Sequence, residues 1–156
     1  MVNGRIDEAV SDGMEPEDGL PKLKLVPKCD PPELFEPITR VLQDIVQERG
    51  RPLFALASGF IDEDVFEEVY RWKQSLREAG KDNNLDILIN SPGGSLGECY
   101  RIARLFARYT DNWEALVPKI AQSGATLICL GSGKIVLSEA AQLRATGNRL
   151  RSQFRP

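Results

Sequence analysis

Apolar residues recur at regular intervals from about residue 35 to residue 143, and the interval alternates between the helical and the strand period. From Phe35 to Val46 they recur every three to four positions, and Gly50 follows as a C-cap. This spacing predicts an amphipathic helix ahead of the sheet. The apolar run at residues 53–57 is typical of a strand buried on both faces, and we expect it to be the first strand.

The same order of strand and helix then repeats along the chain. Acidic residues at positions 62–64 and a glycine at position 80 bracket a helix with one apolar face. Further strands are predicted at residues 85–89, 113–117 and 135–137, with helices at residues 99–109 and 123–130. Strands that alternate with helices form a mainly parallel sheet, so the pattern predicts an α/β fold.

Both ends of the chain lack this periodicity. Residues 1–32 are rich in Asp, Glu, Gly and Pro, apart from the short alternating piece at residues 23–26, and we interpret them as a flexible leader. Residues 144–156 are polar and rich in arginine, unlike the rest of the sequence. We therefore expect one domain at residues 33–143, followed by a basic tail.

Composition narrows the class of protein. With 156 residues, of which 42% are hydrophobic and 28% are charged, the sequence is typical of one globular domain. Its net charge of −3 gives no basic field, so we do not expect nucleic acid as a partner. Residues 1–19 contain no apolar stretch of signal or membrane length, so we expect a cytoplasmic protein without a transmembrane segment.

Cysteine and histidine limit the chemistry further. Cys29, Cys99 and Cys129 are widely spaced and fit no metal or redox motif, which agrees with a reducing compartment. We therefore expect neither a metal nor another cofactor. The chain contains no histidine, so a Ser-His-Asp triad cannot be completed within it.

Two turns follow successive predicted strands and carry the candidate chemistry. One contains Gly93 and Gly94, and the other contains Ser123 and Gly124. In a parallel sheet, sites form beyond the carboxyl ends of the strands, so both turns should lie at one edge. A Gly-Gly pair lets backbone amides face a ligand, as an oxyanion hole requires. Ser123, at a helix start, could act as a nucleophile, with Gly124 as a further amide donor.

Each turn also has an ordinary structural interpretation. Ser123 could be an N-cap that only satisfies the first turn of a helix. Gly93 and Gly94 could form a phosphate-binding turn, or simply a tight connection between a strand and a helix. From spacing alone, these alternatives stay open.

Two segments resemble the ClpP class of serine peptidases. Residues 87–95 (Ile-Leu-Ile-Asn-Ser-Pro-Gly-Gly-Ser) are similar to the strand and glycine turn of that class. Residues 117–131 are similar to the nucleophile segment of its serine dehydrogenase proteinase and signal-peptide-peptidase branch, and the resemblance as a whole covers about residues 53–143. It implies a ClpP/crotonase-like ββα spiral that assembles into homo-oligomers and hydrolyses peptides or proteins.

The resemblance also implies roles for particular residues. Ser123 would be the acylating nucleophile, and backbone amides near Gly94 and Gly124 would form the oxyanion hole. A lysine downstream of the nucleophile would be the general base, but the last lysine of this chain is Lys134. Lys119 and Lys134 are weak substitutes, because lysines beside turns are usually solvated. This departure from the family pattern after residue 143 leads us to expect a non-family tail on a truncated or altered sequence.

Three functions follow from these observations. The first is an active serine peptidase whose base comes from a neighbouring subunit or from a missing C-terminal part. The second is an inactive relative that serves as an assembly or peptide-binding module. The third is an acyl-CoA enzyme of the crotonase type, which the Ser-Gly-Ala-Thr segment and the lack of a carboxylate beside either glycine turn disfavour.

Overall fold

A five-stranded parallel sheet forms the centre of the fold in the computed structural model, which describes residues 23–25 and 35–145. Its strands, in spatial order, are β1 (Leu23–Leu25), β2 (Leu53–Ala57), β3 (Asn84–Asn90), β4 (Asn112–Val117) and β6 (Lys134–Leu137). A second parallel sheet pairs β5 (Ile120–Gln122) with β7 (Gln142–Arg144). The helices are α1 (Phe35–Arg49), α2 (Glu63–Glu78), α3 (Leu96–Tyr109) and α4 (Gly124–Leu130). Among these described helices, none is long and apolar enough to cross a membrane.

Strands β2, β3 and β4 of the large sheet are each followed by extended backbone in a second layer and then by a helix. After β2, Ile61 forms an isolated parallel bridge with Gly94, and after β3, Ser91 forms one with Ala121 of β5. After β4, strand β5 takes this second-layer position ahead of α4. The predicted α/β fold with a mainly parallel sheet is confirmed, and its strand-strand-helix order is that of a ββα spiral.

The main core lies between the large sheet and helices α2, α3 and α4. Phe54 of β2 lies 5.2 Å from Trp72 of α2, measured between ring centroids, and Phe106 of α3 lies 5.4 Å from Trp113 of β4. Burying a large apolar side chain contributes about 1.5–3 kcal/mol, so these contacts bind the helices firmly to the sheet. The turns at the carboxyl ends of the strands are held between these packed elements.

Helix α1 packs on the opposite face of the sheet, and ion pairs hold the C-terminal end of this helix against the sheet. Arg49 donates hydrogen bonds to Asp86 of β3 and to Glu114 of β4, and Arg51 pairs with both carboxylates. Burial opposes the charged form of Glu114, but the hydrogen bond from Arg49 and the charges of Arg51 and Lys134 outweigh it and lower the pKa. This cluster lies toward the amino ends of the strands, away from the two candidate turns.

The structure differs from the sequence-based expectations in three short strands. Strand β1 lies within the predicted leader and pairs with β2, so residues 53–57 form the second strand rather than the first. Strand β5 lies where we predicted a turn, and β7 reaches into the predicted tail. Three-residue strands are too short to show a clear alternation of apolar and polar positions. The rest of the predicted leader and tail lies outside the described residues, so those domain boundaries stay predictions.

Candidate active site

Ser123 has an unusual backbone conformation in the turn between β5 and α4. Its φ is +53° and its ψ is −122°, and among residues 23–25 and 35–145 it is the one non-glycine residue with positive φ. A conformation of this kind costs about 1–3 kcal/mol and persists only where the surroundings impose it. The fold therefore holds Ser123 in place against a conformational penalty.

The Ser123 side chain does not cap helix α4. Ser123 occupies the N-cap position, but its side chain makes no capping hydrogen bond. By contrast, Ser95 at the N-cap of α3 accepts a hydrogen bond from Glu98 N. The structure therefore does not support the interpretation of Ser123 as an ordinary N-cap.

Backbone hydrogen bonds hold the Ser123 turn from two sides. On one side, Ser123 N donates to Arg144 O in β7 at 2.9 Å. On the other side, Ser91 N donates to Ile120 O at 3.0 Å, and Gln122 N donates to Ser91 O at 3.1 Å. The turn is consequently fixed between β7 and the glycine turn that follows β3.

Gly93 lies directly against Ser123. Its φ of +112° strongly favours glycine, and a Cβ at this position would lie 2.7 Å from Gln122 O and 2.9 Å from Ser123 Cβ. Real Cβ atoms essentially never approach other atoms so closely. The structure thus brings together the two turns that the sequence predicted at one edge of the sheet, and only a glycine at position 93 allows this contact.

The amides of the three candidate glycines differ in availability. Gly93 N donates to Ser91 Oγ at 3.1 Å. The parallel bridge between Gly94 and Ile61 uses the backbone groups of the residues on either side of Gly94, so this pairing leaves the Gly94 amide unused. Gly124 is the first residue of α4, and the first amides of a helix have no intrahelical acceptor. Gly94 and Gly124 therefore remain the candidate amide donors.

Other reactive groups near the turn are poor competitors for Ser123. Cys99 packs against Gly124. A Cβ on this glycine would collide with the Sγ atom of Cys99. Burial raises the pKa of the Cys99 thiol to about 11 and that of Cys129 to about 12, so both are neutral near pH 7 and weakly nucleophilic. Within the described part of the chain, no group of three or more His, Cys, Asp or Glu side chains is placed to hold a metal ion.

Neither candidate lysine is hydrogen-bonded to Ser123 in the part of the chain that the structure describes. Lys134 begins β6, and its Nζ lies 3.7 Å from Glu114 Oε2. Because Ser123 comes after the carboxyl end of β4, Lys134 lies toward the opposite end of the sheet. Lys119 is an exposed residue whose carbonyl accepts a hydrogen bond from Gln142 N at 2.8 Å. Neither lysine is therefore in place as a general base.

Three residues that hold the turn were not candidates from the sequence. Ser91 follows β3, and its hydroxyl accepts from an amide two residues ahead, a contact that a serine before Pro-Gly-Gly could have indicated. Thr126 is a polar residue in an apolar helix, and its single hydroxyl proton is shared between Ala121 O and Arg144 O. Arg144 holds the turn through its backbone carbonyl. Every residue type has this group, so the sequence does not indicate the role.

Comparison with known families adds independent evidence. The model of the ClpP-like SDH-type serine proteinase family matches residues 39–153, which include both turns and most of the predicted tail. An uncharacterised protein of Methanocaldococcus jannaschii is 36% identical over 84 residues. These residues make up 54% of this chain and 28% of that relative, so the chain spans less than a third of the relative's length.

Two solved ClpP structures are similar to part of the chain. The ClpP protease catalytic domain from Plasmodium falciparum superimposes with a TM-score of 0.47 at 20% identity, over 54% of this chain and 53% of that domain. A mutant of ClpP1 from Listeria monocytogenes gives a TM-score of 0.48 at 20% identity, over 59% of this chain and 51% of its own.

Proposed function

Because the chain belongs to the family of ClpP-like SDH-type serine proteinases, we propose that Ser123 is the nucleophile of a site that hydrolyses peptide bonds in peptides or proteins. The observation that carries this proposal is the conformation of Ser123, which has a positive φ and a side chain that does not cap the helix. Strained residues of this kind cluster at sites whose geometry serves a function. The family and the strained turn thus support the same residue.

The proposed reaction proceeds through an acyl-enzyme. Ser123 Oγ attacks the carbonyl carbon of the substrate while its proton passes to a general base, and the carbonyl electron pair moves to the oxygen. The amides of Gly94 and Gly124 donate hydrogen bonds to this oxyanion. Collapse of the intermediate breaks the C–N bond, and the base returns the proton to the leaving amine. A water molecule then cleaves the acyl ester with the help of the same base and restores the Ser123 hydroxyl.

We assign Gly93 a different role from that of the other two glycines. Its amide already donates to Ser91 Oγ, whereas its missing Cβ permits the contact with Ser123. Gly93 therefore contributes space, and Gly94 and Gly124 contribute the hydrogen bonds. This assignment narrows the oxyanion hole from three candidate glycines to two.

The general base, in this proposal, comes from outside the described residues. The chain has no histidine, and Lys134 lies beside Glu114 toward the other end of the sheet. A base from a neighbouring copy, or from a part of the polypeptide beyond Arg144, would complete the site. Because Ser123 N is hydrogen-bonded to Arg144 O, the backbone that continues from β7 starts beside the nucleophile.

We also propose that the domain assembles into a homo-oligomer in the cytoplasm. Ile38 and Val41 on α1 are 50% and 58% exposed, and Leu137 on the edge strand β6 is 48% exposed. When a second copy of the chain covers exposed apolar side chains of this size, they are removed from water, and this favours assembly. The free, buried thiols of Cys99 and Cys129 suit a reducing compartment.

A catalytically inactive relative is the second candidate function. The observation that favours it is that neither Lys119 nor Lys134 is in place to take the Ser123 proton. Such a protein would keep the fold as an assembly or peptide-binding module. It would bind peptides beside Gly94 without cleaving them.

Hydrolysis of fluorogenic peptides by the purified chain tests the proposal. The comparison includes Ser123→Ala and, as a matched control, Ser75→Ala in α2, where the hydroxyl only bonds to Trp72 O. With the base supplied by a neighbouring copy, we expect cleavage by the wild type and Ser75→Ala and loss of cleavage in Ser123→Ala. Peptide binding with no turnover in all three proteins would favour the inactive relative instead.

A further inference from the structure

We infer that Thr126 is a positioning residue that fixes Ser123 for attack, an inference that rests on the proposed function of Ser123. Thr126 is 5% exposed and lies in the first turn of α4, three residues after Ser123. It does not face solvent, and its hydroxyl has no role in the reaction as written. Its hydrogen bonds instead indicate a structural role at the turn.

The Thr126 hydroxyl lies between two backbone carbonyls from different strands. Oγ1 is 2.8 Å from Ala121 O in β5 and 2.9 Å from Arg144 O in β7, and its one proton is shared between these two acceptors. A threonine inside a helix usually bonds to a carbonyl three or four residues earlier in the same helix. Thr126 reaches beyond its helix instead, so its hydroxyl connects α4 to both strands of the small sheet.

The same carbonyl oxygen also holds the nucleophile. Arg144 O accepts a hydrogen bond from Ser123 N at 2.9 Å in addition to the one from Thr126 Oγ1. The Ser123 amide and the Thr126 hydroxyl therefore converge on one oxygen atom. On the other side of the turn, Ala121 is the second residue before Ser123, so Thr126 connects the residues before and after the strained position.

This convergence explains how the positive φ of Ser123 is maintained. A strained residue needs surroundings that fix it from several directions, and the Thr126 hydroxyl adds a side-chain contact to the backbone hydrogen bonds that join the turn to β7 and to Ser91. The Thr126 hydroxyl is the side-chain group that joins α4, β5 and β7 at this point. Without it, the turn can relax and Ser123 Oγ can move away from the attack geometry.

Two substitutions separate positioning from simple packing. Thr126→Val keeps the shape of the side chain and removes the hydroxyl, whereas Thr126→Ser keeps the hydroxyl and removes the methyl group. The first readout is labelling of Ser123 by a fluorophosphonate, resolved into the maximal rate kinact and the half-saturating concentration KI. The second readout is hydrogen exchange at the Ser123 amide, which does not depend on catalysis.

We expect Thr126→Val to lower kinact by about 10-fold or more with little change in KI, because small displacements of a reacting group slow the chemical step. Exchange of the Ser123 amide should become faster in the same variant. Thr126→Ser should restore both values to within about threefold of the wild type. If Thr126→Val does not fold, Thr126→Ala takes its place, since it also removes the hydroxyl.

Each negative outcome has a separate meaning. Wild-type labelling rates in both Thr126 variants, together with unchanged amide exchange, would overturn the positioning role and leave the proposed function intact. A wild-type chain that is never labelled would count against the proposed function, and amide exchange would then decide on Thr126 alone. Equal loss of labelling in Thr126→Ser and Thr126→Val would indicate that the methyl group, and hence packing, matters instead.

Discussion

Gly93 and Ser123 lie so close together that a methyl group on Gly93 would stand 2.9 Å from Ser123 Cβ. The two residues belong to different strand-helix units, one after β3 and the other after β5. Their contact exists because Ser91 and Ala121 form a parallel bridge that brings the two turns into register. The nucleophile position and the glycine turn are therefore one structural unit rather than two adjacent loops.

The Gly93→Ala substitution should damage both stability and labelling of Ser123. The new Cβ would collide with Gln122 O and Ser123 Cβ, and alanine would have to adopt a φ of +112°. We expect a loss of about 3 kcal/mol in the free energy of unfolding, which is typical of strain combined with overpacking. Chemical denaturation measures this loss. Gly59→Ala is the control, because a Cβ there meets nothing within 4 Å, and equal effects of both substitutions would contradict the contact.

Replacing Ser123 with glycine should stabilise the fold relative to replacing it with alanine. Glycine adopts positive φ without the steric penalty that alanine keeps, although it is more flexible in the unfolded chain. The balance of these effects predicts that Ser123→Gly is more stable than Ser123→Ala by about 1 kcal/mol. Thermal unfolding of the two variants side by side measures the difference. A more stable alanine variant would show that residue 123 is not strained in solution.

Stability should fall in acid because of two carboxylates whose pKa values are lowered in the folded state. The hydrogen bond from Lys73 is the main cause at Asp82, and at Glu114 the contacts with Arg49, Arg51 and Lys134 outweigh burial. Unfolded Asp and Glu have pKa values of about 3.9 and about 4.3. The contribution of both groups is therefore complete above these values and is lost as the pH falls through the lower pKa values of the folded state.

Unfolding experiments across the acid range test this expectation with Asp82→Asn and Glu114→Gln. Each variant should be less stable than the wild type at neutral pH, because a partner of Lys73 or Arg49 is lost. Each should also lose less stability than the wild type between about pH 5 and about pH 2. Curves that run parallel to that of the wild type would show that these carboxylates do not cause the acid sensitivity.

Assembly should depend on the exposed apolar surface of α1. Val41→Glu places a charge on a residue that is 58% exposed, and a charge there would oppose burial between subunits. We expect light scattering to give a smaller mean mass for this variant at equal protein concentration. Gln47→Glu adds the same charge at an exposed polar position of the same helix and should leave the mass unchanged. A wild-type chain that stays monomeric at all concentrations would contradict this prediction.

The order of strands and helices could be predicted from the sequence because each long element has a clear period. Burial on both faces gives β2 a continuous apolar run and β3 a run interrupted only by Asp86, and α2 and α3 show one apolar face each. The short strands β1, β5 and β7 were missed because three residues do not establish a period. These strands are held by partners that are distant in sequence, which no local pattern contains.

The candidate site was only partly visible in the sequence. Residue type pointed to Ser123 and the glycines, since a hydroxyl nucleophile and unobstructed amides are chemical requirements. The positive φ of Ser123, the commitment of the Gly93 amide to Ser91, and the carbonyl of Arg144 are consequences of tertiary packing. These three features can be seen only in the folded structure, where the two turns lie next to each other.

The measurement that tests the central claim most directly is intact-mass analysis after incubation with a fluorophosphonate probe. Wild type, Ser123→Ala and the Ser75→Ala control are compared at the same protein concentration. We expect one adduct per chain in the wild type and in Ser75→Ala, and none in Ser123→Ala. An unlabelled wild type, or an adduct that persists in Ser123→Ala, would contradict the claim that Ser123 is the nucleophile.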